Sequence, residues 1–205
     1  MPDPAQTRRT PRQTRSRDRV TSILEAARVL IGRHGNDGVS MREIAARAGV
    51  PIASVYDYFP DKNGILRALI VGYLAEIQGR LAALLIPVDS VEGLHVAVDR
   101  MVDALVEIFR RERELPTIWG AVQANTTLRE LDVEDGRRIA DFLVSRFLAV
   151  LPGADPEAVR DACLYAVSTV STTVRMAVYT NPRDGERLIR EFKALMRLRL
   201  ESLAR

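Results

Sequence analysis

The 205-residue chain is poor in several residue types. It has one cysteine, Cys163, two histidines, His34 and His95, and two lysines, Lys62 and Lys193, among 30 basic residues. One cysteine allows no internal disulfide and no cysteine-rich metal cluster, which fits a reducing compartment. Two distant histidines add neither a nucleophile–base pair nor a metal-ligand spacing, so no catalytic residue, metal or cofactor is expected. Glycine (12) and proline (10) are too scarce for a fibrous chain, and 47% hydrophobic residues with a formal charge of +3 do not suit wholesale disorder. Long apolar runs are missing too. The longest uncharged stretch, Leu115 to Leu128, is 14 residues long and holds Pro116, short of the roughly 18 apolar residues of a spanning helix. No apolar segment directly follows the N-terminal arginines, so no signal peptide is read. The expectation is a cytoplasmic protein with no membrane partner.

What is present is unevenly placed. Residues 1–19 carry six arginines against Asp3 and Asp18, with three prolines and almost no apolar side chains. Such a segment buries too little surface to offset its ordering entropy, and reads as a disordered basic arm. It is either a solvated terminus or an arm for nucleic-acid phosphates. Residues 20–62 balance five basic against five acidic side chains, so most of the attraction for a polyanion would lie in the arm.

Beyond the arm the periodicity is helical throughout, predicting an all-α fold of about nine helices. Val20, Ile23, Leu24, Ala27, Leu30 and Ile31 share one helical face, and Gly35 closes that helix. Ser40 and Glu43 have the spacing of a capping box opening a short second helix. Pro51 reads as a first-turn residue of a third helix to Tyr58. Further helices are predicted over about 62–85, 91–111, 116–123, 133–151, 156–179 and 183–203, with a linker at Pro87 to Ser90. The domain reading is an arm over 1–19, a helix-turn-helix domain over 20–66 and a larger helical domain over 67–205.

Two short helices joined by a Gly-containing turn fit a helix-turn-helix. Tyr56 and Tyr58 on the second are costly exposed aromatics unless they contact something, and their hydroxyls suit phosphate oxygens. The residues Ala26-Ala27, Gly35, Ser40, Ile44-Ala45, Ala48-Gly49-Val50, Ser54-Val55-Tyr56-Asp57-Tyr58-Phe59 and Lys62 resemble the DNA-binding region of the TetR (tetracycline-repressor-like) family of bacterial regulators. The likeness covers about residues 20–66. It departs at Pro51, where Ser or Thr is usual and a phosphate-meeting N–H is lost, and at Ala53, where Gly or Pro is commoner.

The resemblance implies a ligand-responsive transcriptional regulator, most often a repressor, binding a palindromic operator in double-stranded DNA as a homodimer and released by a small-molecule effector. Ile52 and Ala53 would touch bases, with apolar contact to a thymine methyl, and Arg42 a guanine edge or phosphate. Ser54, Tyr56, Tyr58 and Lys62 match phosphate-contact positions. Phe59 reads as core, and Asp57 either accepts from a cytosine amine or turns toward Arg42 or Arg47.

The last two helices are the expected dimer interface, through Val167, Val170, Val174, Leu188, Phe192, Leu195 and Met196. The family places an effector pocket among the middle helices. Candidates to line it are Met101, Phe109, Trp119, Gln123, Tyr165 and Arg175, each of which could equally be ordinary packing at helical spacing. His95 reads as structural. The rival to a regulator is a helical protein-interaction module without DNA binding, and no enzyme is expected.

Overall fold

The computed structural model describes residues 11–84 and 88–205, and the first ten residues of the arm, together with Leu85 and Pro87, lie outside the described residues. The described residues form nine helices and no strand: α1 (Pro11–His34), α2 (Met41–Ala48), α3 (Ile52–Tyr58), α4 (Lys62–Leu84), α5 (Val91–Arg111), α6 (Leu115–Ala124), α7 (Thr126–Val150), α8 (Pro156–Tyr179) and α9 (Pro182–Leu203). α1–α3 and the start of α4 make a small head. α5–α9 make the body, in which α7 packs on α8, α8 on α9, and α5 against both α8 and α9.

α2 and α3, of 8 and 7 residues, are too short to persist alone. Burial holds them. Ile23, Ile31, Ile44, Val55, Ile65, Leu66 and Ile70 are fully or almost fully removed from solvent, and each such side chain contributes about 1.5–3 kcal/mol. Local signals set the ends. Gly35 and Gly49 adopt φ of 73° and 68°, the left-handed region that closes α1 and α2 at no steric cost.

Four boundaries differ from the sequence reading. Residues 11–19, assigned above to an unstructured arm, continue α1. Arginine is a good helix former, a helix already nucleated by its packed half extends cheaply, and Ser16 is tied to Tyr58. Pro51 is the residue before α3, with extended ψ of 143°, rather than its first turn. α7 starts at Thr126, seven residues ahead of the predicted Val133. Asn125 caps it by accepting from the Leu128 N–H at 3.1 Å, and Leu128 is buried. α9 starts at Pro182, capped by Asn181. α8 and α9 approach very closely at Gly185, where an added Cβ would lie 2.3 Å from the Ala177 carbonyl oxygen.

Candidate nucleic-acid interface and ligand cavity

The head is a rigid mount for α3. Ser40 Oγ accepts from the Glu43 N–H at 3.2 Å, and Glu43 Oε2 accepts from the Ser40 N–H at 2.7 Å, so the capping box is complete. The hydrogen bonds from Ser40 hold the Glu43 carboxyl below its ordinary range. Val50 N–H reaches back to the Ala45 carbonyl at 3.1 Å across Gly49, fixing the turn. Val55 of α3 is sealed against the head's core, and Phe59 is buried beneath it.

That orientation leaves Ile52, Ala53, Tyr56 and Asp57 exposed and Ser54 half-buried. Arg42 and Arg47 of α2 are exposed beside them. Among the described residues no ion pair joins Asp57 to either arginine. Tyr56 is 53% exposed, costly for an aromatic ring without a partner.

Tyr58 and Lys62, read above as phosphate contacts, have internal partners. Tyr58 Oη shares a hydrogen bond of 3.0 Å with Ser16 Oγ, which lays the arginine-bearing start of α1 beside α3. Lys62 Nζ donates to the carbonyls of Asn36 at 2.5 Å and Val39 at 2.7 Å, clamping the α1–α2 turn. The lysine therefore has a structural duty whether or not its third N–H meets a phosphate.

α4 leaves the head at Lys62 and enters the body, where Leu74 and Ile77 wall a cavity of about 140 Å³ bounded also by α5–α9. Met101 and Trp119 line it as expected. The other four candidates do not. Phe109 is buried with its ring 6.1 Å from that of Trp119, and so supports the wall from behind. Gln123 donates to Asp132 at 2.6 Å. Tyr165 is 61% exposed on the outer side of α8, and Arg175 is half-buried off the lining.

Several residues assigned to the dimer interface also face this cavity. Val167, Val170, Phe192 and Met196 line it, and Val174 is fully buried. Only Leu188 and Leu195 of that set face outward. The outward apolar surface of α8 and α9 is Leu164, Tyr165, Met176, Tyr179, Leu188, Leu195 and Leu198. These recur at helical spacing along one stripe of each helix.

The sequence reading missed Cys163 and Asp135 in the lining. Burial pushes the Cys163 thiol up to about 12, keeping it a neutral apolar surface. Asp135 is 3% exposed. Its position four residues before Ile139 and eight before Leu143 put it on the inner face of α7, a signal available in the sequence. His95 is buried within 3.4 Å of Glu92 on its own helix, away from the cavity.

A capped helix-turn-helix joined through α4 to a hollow helical body defines a regulator of transcription that binds DNA. The comparisons agree. Residues 23–69 match the family described as bacterial regulatory proteins, tetR family, and residues 92–204 match the tetracyclin repressor-like C-terminal domain. The chain belongs to the TetR family of transcriptional regulators. It is 30% identical to the HTH-type transcriptional regulator BetI of Escherichia coli over 143 residues, 67% of this chain and 70% of that protein. It is 28% identical to the BetI of Rhizobium meliloti over 150 residues, 68% of this chain and 70% of that one. A TetR-family transcriptional regulator from Streptomyces coelicolor superposes with a TM-score of 0.68 at 29% identity, over 90% of this chain and 99% of that one. Among the described residues no helix is long and apolar enough to cross a membrane.

Proposed function

We propose that this regulator binds a palindromic operator as a homodimer, reads bases through α3 and the start of α2, and releases the DNA when a small molecule occupies the body cavity. The observation that carries this is α4, a single helix that anchors the head at Lys62 and walls the cavity at Leu74 and Ile77. A ligand that favours one setting of α4 thereby favours one spacing of two heads, and it shifts operator affinity by its preference between settings.

In the base-reading role, Arg42 suits the paired acceptors of guanine, and Ile52 and Ala53 a thymine methyl. Tyr56 and Ser54 would meet phosphate oxygens, with Tyr58 and Lys62 contributing mainly by fixing the head. Arg15, Arg17 and Arg19, exposed on the α1 end that Ser16 ties to Tyr58, would supply counterion-releasing charge. Dimerisation through the outward stripe of α8 and α9 is supported by its size. Monomers seldom leave so many large apolar side chains together in water.

The test is a titration of a duplex selected from random DNA. Arg42→Ala should lower affinity and relax base preference at one position per half-site, and Tyr56→Ala should weaken all sequences alike. Wild-type affinity in both variants would overturn the assignment.

A further inference from the structure

We propose that the cavity selects a small apolar molecule bearing a protonated amine or amidine, whose N–H groups pair with Asp135 Oδ2. This rests on reading the cavity as the effector site.

The lining is apolar almost throughout, with Trp119, Leu143 and Val167 among its residues. Asp135 stands out against it. Its Oδ1 accepts from Gln78 Nε2 at 2.7 Å and from Arg138 at 2.9 Å, and these satisfy one oxygen. Oδ2 is buried and has no hydrogen-bond partner among the described residues. An ionised carboxylate is acceptor-only, so the missing partner must be a donor. Buried polar groups are rarely left unpaired, and such a group in a ligand-sized space is a binding handle.

Charge decides between a neutral donor and a cationic one. Arg138 is 62% exposed, so water screens most of its charge from the interior. Asp132 lies one turn before Asp135, and its carboxyl is held above the ordinary range by burial, with Asp135 adding to the rise and Gln123 opposing it. Asp135 is the one acidic residue among those lining the cavity. Arg199 borders the cavity too, but at the other end, where it donates to the Ala158 carbonyl. Val167, beside Gly136 of α7, is nine residues further along α8, about 13 Å at helical rise. A cation at Asp135 is thus remote from that guanidinium.

About 140 Å³ matches cavities that accept a single benzene ring. Benzylammonium, benzyl alcohol and toluene present the same ring with a cationic donor, a neutral donor and none. Trp119, the sole tryptophan, lines the cavity and reports occupancy by fluorescence.

The full-length protein is titrated with each probe, and calorimetry confirms the stoichiometry. Benzylammonium should bind at least about tenfold more tightly than benzyl alcohol, the scale of one charge-assisted hydrogen bond. In Asp135→Asn, toluene affinity should persist while the preference for the cation disappears. The proposal is overturned if a neutral probe equals or exceeds benzylammonium in the wild type, a comparison that needs no variant, or if Asp135→Asn keeps the preference. Toluene binding without cation preference defeats the proposal alone. No response from any probe defeats the effector-site reading as well.

Discussion

Arg28 offers the sharpest test of how head and body are joined. It lies on α1, where its guanidinium forks onto Glu25 at 2.8 and 2.9 Å and reaches Glu114 at 2.8 Å and Glu112 at 3.4 Å at the α5–α6 junction. One turn on, Gly32 lets the junction approach, since a Cβ there would sit 2.3 Å from Glu114 Cγ. Side-chain exposures of 22–25% for Arg28, Glu112 and Glu114 place the cluster between surface and buried pairs. Surface pairs are worth about 0–1 kcal/mol and breaking buried ones costs about 3–5 kcal/mol. Arg28→Ala also leaves Glu114 unneutralised, while Glu112 keeps Arg111 at 3.1 Å, so a loss of about 1.5 kcal/mol is expected, a fall in Tm of roughly 3–6 °C at this size. Thermal melts of wild type, Arg28→Ala, Glu114→Gln and the double variant at one protein concentration complete a mutant cycle. A coupling of about 1 kcal/mol, shrinking with salt, is predicted. If the head answers to the body here, the single variants should also change the ligand concentration that releases DNA. Additivity within about 0.3 kcal/mol, with unchanged release, would refute the reasoning.

Two further substitutions probe the body. Gly185→Ala forces a methyl against the Ala177 backbone carbonyl, so α8 and α9 must separate at a cost of about 1–3 kcal/mol. Sedimentation should show the proposed dimer weakened, and an unchanged Tm with unchanged sedimentation would contradict the close packing. Burial raises the Asp132 carboxyl, so in the window above ordinary carboxylate values the folded chain binds more protons than the unfolded one, and stability falls as pH rises through it. Asp132→Asn should remove that slope, making the variant at least as stable as wild type near neutrality and closing the gap toward acid. A parallel pH profile for both proteins would count against this.

The head was legible because its signals are local. Ser40 and Glu43 are three residues apart, Gly35 and Gly49 follow their helices directly, and apolar spacing put Ile23, Ala27 and Ile31 on one face, where they are buried. The faces of α8 and α9 were not legible, because both helices are apolar on more than one side. Period alone then cannot say that Val167 and Met196 turn inward while Tyr165 and Leu195 turn outward. Tyr58 and Lys62 show a second limit. Groups that suit phosphate oxygens suit the chain's own hydroxyls and carbonyls equally well, and tertiary geometry chose Ser16, Asn36 and Val39. The start of α7 was hidden by polar residues whose cap, Asn125, carries no apolar pattern behind it. In residues 11–19, composition spoke for disorder while the adjoining packed helix extended through them.

Two identical reading heads on one duplex call for a repeated site, and selection from random DNA with the full-length protein looks for it. It should enrich an inverted repeat whose half-sites are centred about one helical turn apart, or a multiple of it, with half-site preference altered by Arg42→Ala. No enrichment, or enrichment of a single half-site without a repeat, would contradict it.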